Sequence, residues 1–131
     1  MVFGSFDVVH DGHRSLFKQA KRHGDKLIVV IARDDTYETL RHYKPLHDEN
    51  ERLQSVASEE LVDEAILGER KDYYRVIRQH RPNIICLGYD QKDFIDDLEK
   101  QLALMKLDAK IIRLESYNPE KLKSSIIKKM S

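Results

Sequence analysis

Gly4-Ser5-Phe6-Asp7-Val8-Val9-His10-Asp11-Gly12-His13 is the stretch that decides how this chain folds. A short apolar run, Met1 to Phe3, leads into it, and Leu16, Phe17 and Ala20 leave it at helical spacing. Strand, glycine-containing turn and helix, in that order, aim unpaired backbone N–H groups and a helix N-terminus at one point, which suits an anion. His10 and His13 stand three residues apart with Gly12 between them, so the backbone stays approachable and both imidazoles can face one bound group. The turn reads as a nucleotide triphosphate site. A zinc centre would need three or four protein ligands. No second His/Cys cluster accompanies the pair, and the one cysteine, Cys86, sits inside an apolar run.

Working outward, Lys26 to Ala32 and Asn83 to Leu87 are continuous apolar runs of strand length, β-branched and without alternation. Such runs belong to strands buried on both faces, as in a parallel sheet covered by helices. Shorter strands are expected at Met1–Phe3, Val62–Leu67 and Ala109–Leu114. Helical spacing predicts helices over 12–23, 33–42, 48–60, 72–80, 92–105 and 121–130. Gly24 is expected to cap the first, and Arg81-Pro82 to stop the fourth. The fold class is therefore α/β, a Rossmann-like, doubly wound, five-stranded parallel sheet with helices on both faces, in a single domain over 1–131. Ligands of such sheets bind beyond the carboxyl ends of the strands where strand order reverses. The turn at 4–13 and the turn Gly88-Tyr89-Asp90-Gln91 should therefore be neighbours.

Residues 4–13 resemble the Gly-Thr-Phe-Asp-x-x-His-x-Gly-His signature of the cytidylyltransferase-like nucleotidyltransferases, with Ser5 in place of the usual Thr. That exchange keeps the hydroxyl. The family includes glycerol-3-phosphate, phosphocholine and phosphoethanolamine cytidylyltransferases and the archaeal type of FAD synthase. The resemblance implies His10, His13 and Lys44 as catalytic residues, Lys44 reaching the triphosphate from the loop at Pro45. It implies nucleotide contacts from Ser5, Phe6, Asp11, Gly12, Ser124 and Ser125, with Gly4, Asp7, Arg113 and Arg52, the last either touching substrate or holding the fold, as secondary candidates. Asp90, at the crevice expected at the strand ends, and Tyr117, in the loop after the fifth strand, are further candidates for nucleotide contact. The family's Arg-Thr-x-Gly-Ile-Ser-Thr-Thr motif is only partly matched, by Arg113 and the Ser124-Ser125 pair. Gly-Tyr-Asp-Gln at 88–91, Val-Ile-Ala-Arg-Asp at 30–34 and Lys-Pro at 44–45 are more similar to the archaeal FAD synthases. The expected reaction is nucleotidyl transfer from ATP to FMN, with glycerol-3-phosphate cytidylyltransferase using CTP as the second reading. A third reading is a non-catalytic nucleotide sensor, against which the two histidines and Lys44 argue. A divalent cation, Mg²⁺, is expected to ride on the nucleotide's phosphates, with no dedicated protein metal site. The resemblance also implies a homodimer.

Composition narrows the field. The chain has 131 residues, 40% hydrophobic and 35% charged, with Lys+Arg and Asp+Glu both at 23. Zero net charge disfavours a general nucleic-acid binder. No apolar run reaches the ~18 residues of a membrane span, and one cysteine fits a reducing, cytoplasmic setting. The basic run from Lys121 to Lys129 reads as a solvated helix face.

Overall fold

A computed structural model describes residues 1–69, 72, 74–89, 91 and 95–116, excepting the side chains of 95 and 96. The elements run β1 (Val2–Gly4), α1 (Asp11–Lys21), β2 (Ile28–Ile31), α2 (Asp34–Arg41) and α3 (Glu49–Ala57). They continue with β3 (Glu64–Leu67), α4 (Arg75–His80), β4 (Ile84–Leu87), α5 (Ile95–Leu104) and β5 (Lys110–Arg113). The five strands form one parallel sheet in the order β3-β2-β1-β4-β5. This is the expected α/β, Rossmann-like arrangement, and its strand order reverses between β1 and β4. The expected helix over 121–130 lies outside the described residues.

Burial follows strand position. In β2 and β4, flanked on both sides, three of four residues are buried, as the unbroken apolar runs require. The edge strands β3 and β5 hold no buried residue. β1 has only three residues, yet it is the central strand. It is held on one flank by Ala32 N–H donating to the Gly4 carbonyl (2.9 Å) and on the other by Cys86 N–H donating to Met1 (2.9 Å).

Two apolar clusters cover the two faces. One packs Phe17 and Ala20 of α1 and Val56 of α3 against Val2, Val29, Ile31 and Cys86. The other packs Val76 and Ile77 of α4 and Leu98 and Leu102 of α5 against Val30, Ile85 and Leu87. Side chains of this type contribute ~1.5–3 kcal/mol each when fully buried. The spacing of Leu98, Leu102 and Met105 is thus core spacing, with Leu98 wholly buried and Met105 packed at the margin.

One capping expectation fails. Gly24 does not take the left-handed conformation. α1 ends instead in tightened turns, with His23 N–H donating to Ala20 and Gly24 N–H to Lys21. The left-handed caps fall on His42 and Arg81, and Arg81 directly precedes Pro82, where the chain cannot continue as helix. Among the described residues no helix is long and apolar enough to cross a membrane.

Candidate functional site

The turn after β1 is built around a close approach. Phe6 has φ 52°, is 4% exposed, and lies against Gly4. A Cβ at Gly4 would sit 2.7 Å from Phe6 Cε2 and Cζ. Gly4 is thus required by packing, and Phe6, expected to touch nucleotide, is placed in the core. Its ring meets Phe17 at 5.5 Å and the edge of His13 at 5.0 Å, so it supports the imidazole from beneath.

The two histidines cap α1. His10 is extended, and its Nδ1 accepts the Gly12 N–H at 3.0 Å. His13 Nδ1 accepts the His10 N–H at 3.3 Å. Ser and Glu commonly make this reciprocal capping; here two imidazoles do it. Each Nδ1 is an acceptor, so each ring carries its hydrogen on Nε2. The rings stack at 3.9 Å and 17°. Burial, and then the neighbouring His10, lower the His13 pKa to about 4, leaving that ring neutral near pH 7. Among the described residues the backbone N–H of Asp11 has no protein acceptor, whereas the N–H groups of Gly12 and His13 both meet the His10 side chain. The His10 ring and the Asp11 amide at a helix N-terminus make an anion-binding donor set, beside the His13 ring, which in this structure also donates to the Val8 backbone. Asp11 itself is exposed and pairs with Arg14 at 3.3 Å.

Arg52 is the other fixed point. It is the one buried charged residue among those described. Its guanidinium donates to the carbonyls of His47 (3.0 Å), Ser5 (2.8 Å) and Ala32 (2.7 Å) and to Asp34 Oδ1 (2.7 Å). Tyr37 lies beneath it, with the ring centroid 5.5 Å away. This hub ties the ends of β1 and β2 to α2 and to the loop before α3. Arg52 is fully buried, and its guanidinium bonds hold these elements together. Arg113 likewise turns to the backbone, donating to Gly88 (2.7 Å) and Gln91 (2.6 Å). It thereby fixes the turn after β4 beside the switch point.

Asp7 also faces backbone. Oδ2 accepts the Leu46 N–H at 2.8 Å and Oδ1 the His47 N–H at 2.9 Å, with Tyr37 Oη 3.4 Å from Oδ2. Burial pushes the carboxyl pKa up, but these amides and Tyr37 outweigh it and carry it below the usual carboxylate value. Lys44, on the same loop, is exposed, and among the described residues it makes no hydrogen bond or ion pair. Asp90, Tyr117, Ser124 and Ser125 lie outside the described residues.

Beside the turn, at the carboxyl ends of the strands, opens a cavity of about 430 Å³. Its apolar wall is Phe3, Val30, Ala32, Leu40 and Tyr74, and Gly4, Ser5, Arg33, Thr36, Gly68, Glu69, Gln91 and Asp97 complete it. Gly4 and Ser5 therefore belong both to this wall and to the histidine-bearing turn. Arg33 is held at the rim by the Gly68 carbonyl (2.7 Å) and Glu49 (3.0 Å). Of these lining residues, Gly4, Ser5, Val30, Ala32, Arg33 and Gln91 fall in stretches the sequence singles out, and the others carry no such mark. They come from several elements far apart in the chain, and periodicity sees one element at a time. Leu40 on α2 stands 43% exposed on this wall.

Residues 1–130 match the family model described as Cytidylyltransferase-like. The chain is 41% identical to the FAD synthase of Aciduliprofundum boonei over 117 residues, 89% of this chain and 78% of that protein. It is 38% identical to the FAD synthase of Thermoplasma acidophilum over 130 residues, 98% of this chain and 90% of that protein. A crystal structure described as the lipopolysaccharide core biosynthesis protein from Thermoplasma volcanium superposes with a TM-score of 0.85 at 38% identity, covering 90% of this chain and 96% of that one. By its opening signature, its strand order and these matches, the chain belongs to the cytidylyltransferase-like family of nucleotidyltransferases.

Proposed function

We propose that the protein is an FAD synthase, transferring the adenylyl group of ATP to FMN with release of pyrophosphate. The carrying observation is the adjacency of two unlike sites across Gly4 and Ser5. One is a polar cluster of imidazole and amide donors at the head of α1. The other is a largely apolar cavity of about 430 Å³. The first suits a triphosphate and the second a flat, apolar ring system. Glycerol 3-phosphate offers nothing apolar to such a wall, so the cavity favours FMN over the small phospho-alcohols.

In this reading the FMN phosphate, largely dianionic near pH 7, attacks the α-phosphorus of ATP directly. The new P–O bond forms as the α–β bridging bond breaks, and the electron pair leaves on pyrophosphate. No general base is required. His10 and His13 donate from their imidazoles to phosphate oxygens on which charge builds, Asp11 donates from the backbone, and Lys44 reaches in from its loop. The low proton affinity of His13 keeps it a neutral donor throughout. A divalent cation carried by the nucleotide's phosphates, the habit of Mg²⁺, would neutralise phosphate charge there. From the sequence, Asp90 is assigned to the ribose or base, Tyr117 to stacking on the base, and Ser124 and Ser125 to phosphate oxygens.

Pyrophosphate release, with ATP and CTP crossed against FMN, glycerol 3-phosphate and phosphocholine, tests the proposal. ATP with FMN should be the productive pair, and His13→Ala should cost ~10²-fold or more in kcat, the scale of a lost oxyanion donor. Turnover confined to CTP with a phospho-alcohol would replace FAD synthesis with cytidylyl transfer. Unimpaired His13→Ala would remove that residue from the mechanism.

A further inference from the structure

The loop from His42 to Asp48, which joins α2 to α3, is attached in an unusual way. It is not held by buried apolar side chains: Tyr43 is 60% and Leu46 81% exposed. Among the described residues, no backbone-to-backbone hydrogen bond engages residues 43–47. Its attachments are polar and few. Asp7 binds the successive N–H groups of Leu46 and His47 with its two oxygens (2.8 and 2.9 Å), Arg52 Nε donates to the His47 carbonyl (3.0 Å), and Tyr43 sets its ring against Tyr37 at 5.8 Å. Asp7 is thus the group that fixes the two peptides following Lys44-Pro45, and it lies three residues before His10 on the histidine-bearing turn.

We infer that Asp7 is a positioning residue for Lys44: by clamping the Leu46 and His47 peptides to the histidine turn, it sets the Lys44 ammonium against the same triphosphate. The inference rests on the role given to Lys44 under Proposed function. The geometry is short-range, because two residues of extended chain span at most ~7 Å from the clamped amide. A lysine held at its base loses less freedom when its head binds phosphate, and that fraction of the ordering is complete before ATP arrives. Asp7 need not touch nucleotide for this, and both its oxygens are already occupied by the loop.

A double-mutant cycle with a backbone readout tests it. Asp7→Ala should lower kcat/KM for ATP by about 10- to 100-fold in the native background and by less than about 2-fold in the Lys44→Ala background, because the clamp acts through the lysine. KM for FMN should stay within about 2-fold in Asp7→Ala, whereas general disruption of the site would move it too. Asp7→Asn keeps one acceptor oxygen and should lie between. By amide exchange, Leu46 and His47 should lose at least about 10-fold in protection in both Asp7 variants while Gly12 keeps its own, which also reports that the turn is folded. Equal losses in both backgrounds, or unchanged exchange at 46 and 47, would overturn the inference and leave the Lys44 assignment standing. Normal turnover of Lys44→Ala alone would remove that assignment and this inference with it.

Discussion

Acidification should loosen this protein through His13. The ring is packed between His10 and Phe6 and has a pKa lowered to about 4, while in the unfolded chain it returns to ~6.5. Between those values the unfolded chain binds a proton that the folded one refuses, so stability must rise with pH across that window. Stability from this group is complete above pH ~6.5 and drains away as pH falls toward ~4. The full gap is worth at most ~3.5 kcal/mol at ~1.4 kcal/mol per pH unit. Solvent reaching the partly exposed ring screens that to ~1–2 kcal/mol. Urea denaturation at pH 7.0, 6.0, 5.0 and 4.5 would compare the native chain with His13→Asn, whose amide oxygen can still accept the His10 N–H. The native chain should lose ~1–2 kcal/mol more than the variant over that range. Asp7, Asp63 and Asp72, all with lowered pKa values, are common to both proteins and cancel in the difference. Parallel pH dependence in the two proteins would refute the reasoning.

Arg52→Met removes the donor shared by three carbonyls and Asp34 and should destabilise by ~3–5 kcal/mol, the cost of breaking a buried charged hub; calorimetry showing a loss below ~1 kcal/mol would contradict the hub. Gly4→Ala drives a Cβ to 2.7 Å from Phe6 and should cost ~1–3 kcal/mol by overpacking. Gly24→Ala, with open space around it and no positive φ, should be neutral or stabilise by up to ~1 kcal/mol, so equal effects at the two glycines would count against the packing account. Leu40→Asp on the cavity wall should raise KM for FMN ~10-fold, about 1.4 kcal/mol of lost apolar contact, and leave KM for ATP unchanged. The reverse pattern in steady-state kinetics would exchange the two sites.

The sequence by itself determined the local parts of this molecule. Apolar runs without alternation at 26–32 and 83–87 mark β2 and β4 because burial on both faces leaves no room for polar residues. The histidine turn is legible because its donors are contiguous, so one strand–turn–helix places both imidazoles without help from the rest of the chain. Tertiary structure decided what joins distant positions. It made three-residue β1 the central strand, sent Phe6 inward to support His13, and turned Arg113 toward the 88–91 backbone. It closed the Arg52 hub between residues 47 positions apart and the Asp7 clamp between residues 39 and 40 apart. The reason is physical: periodicity records which face of one element is dry. The partners of a buried arginine, a carboxylate clamped to a loop and the walls of a cavity are fixed only when separate elements pack together.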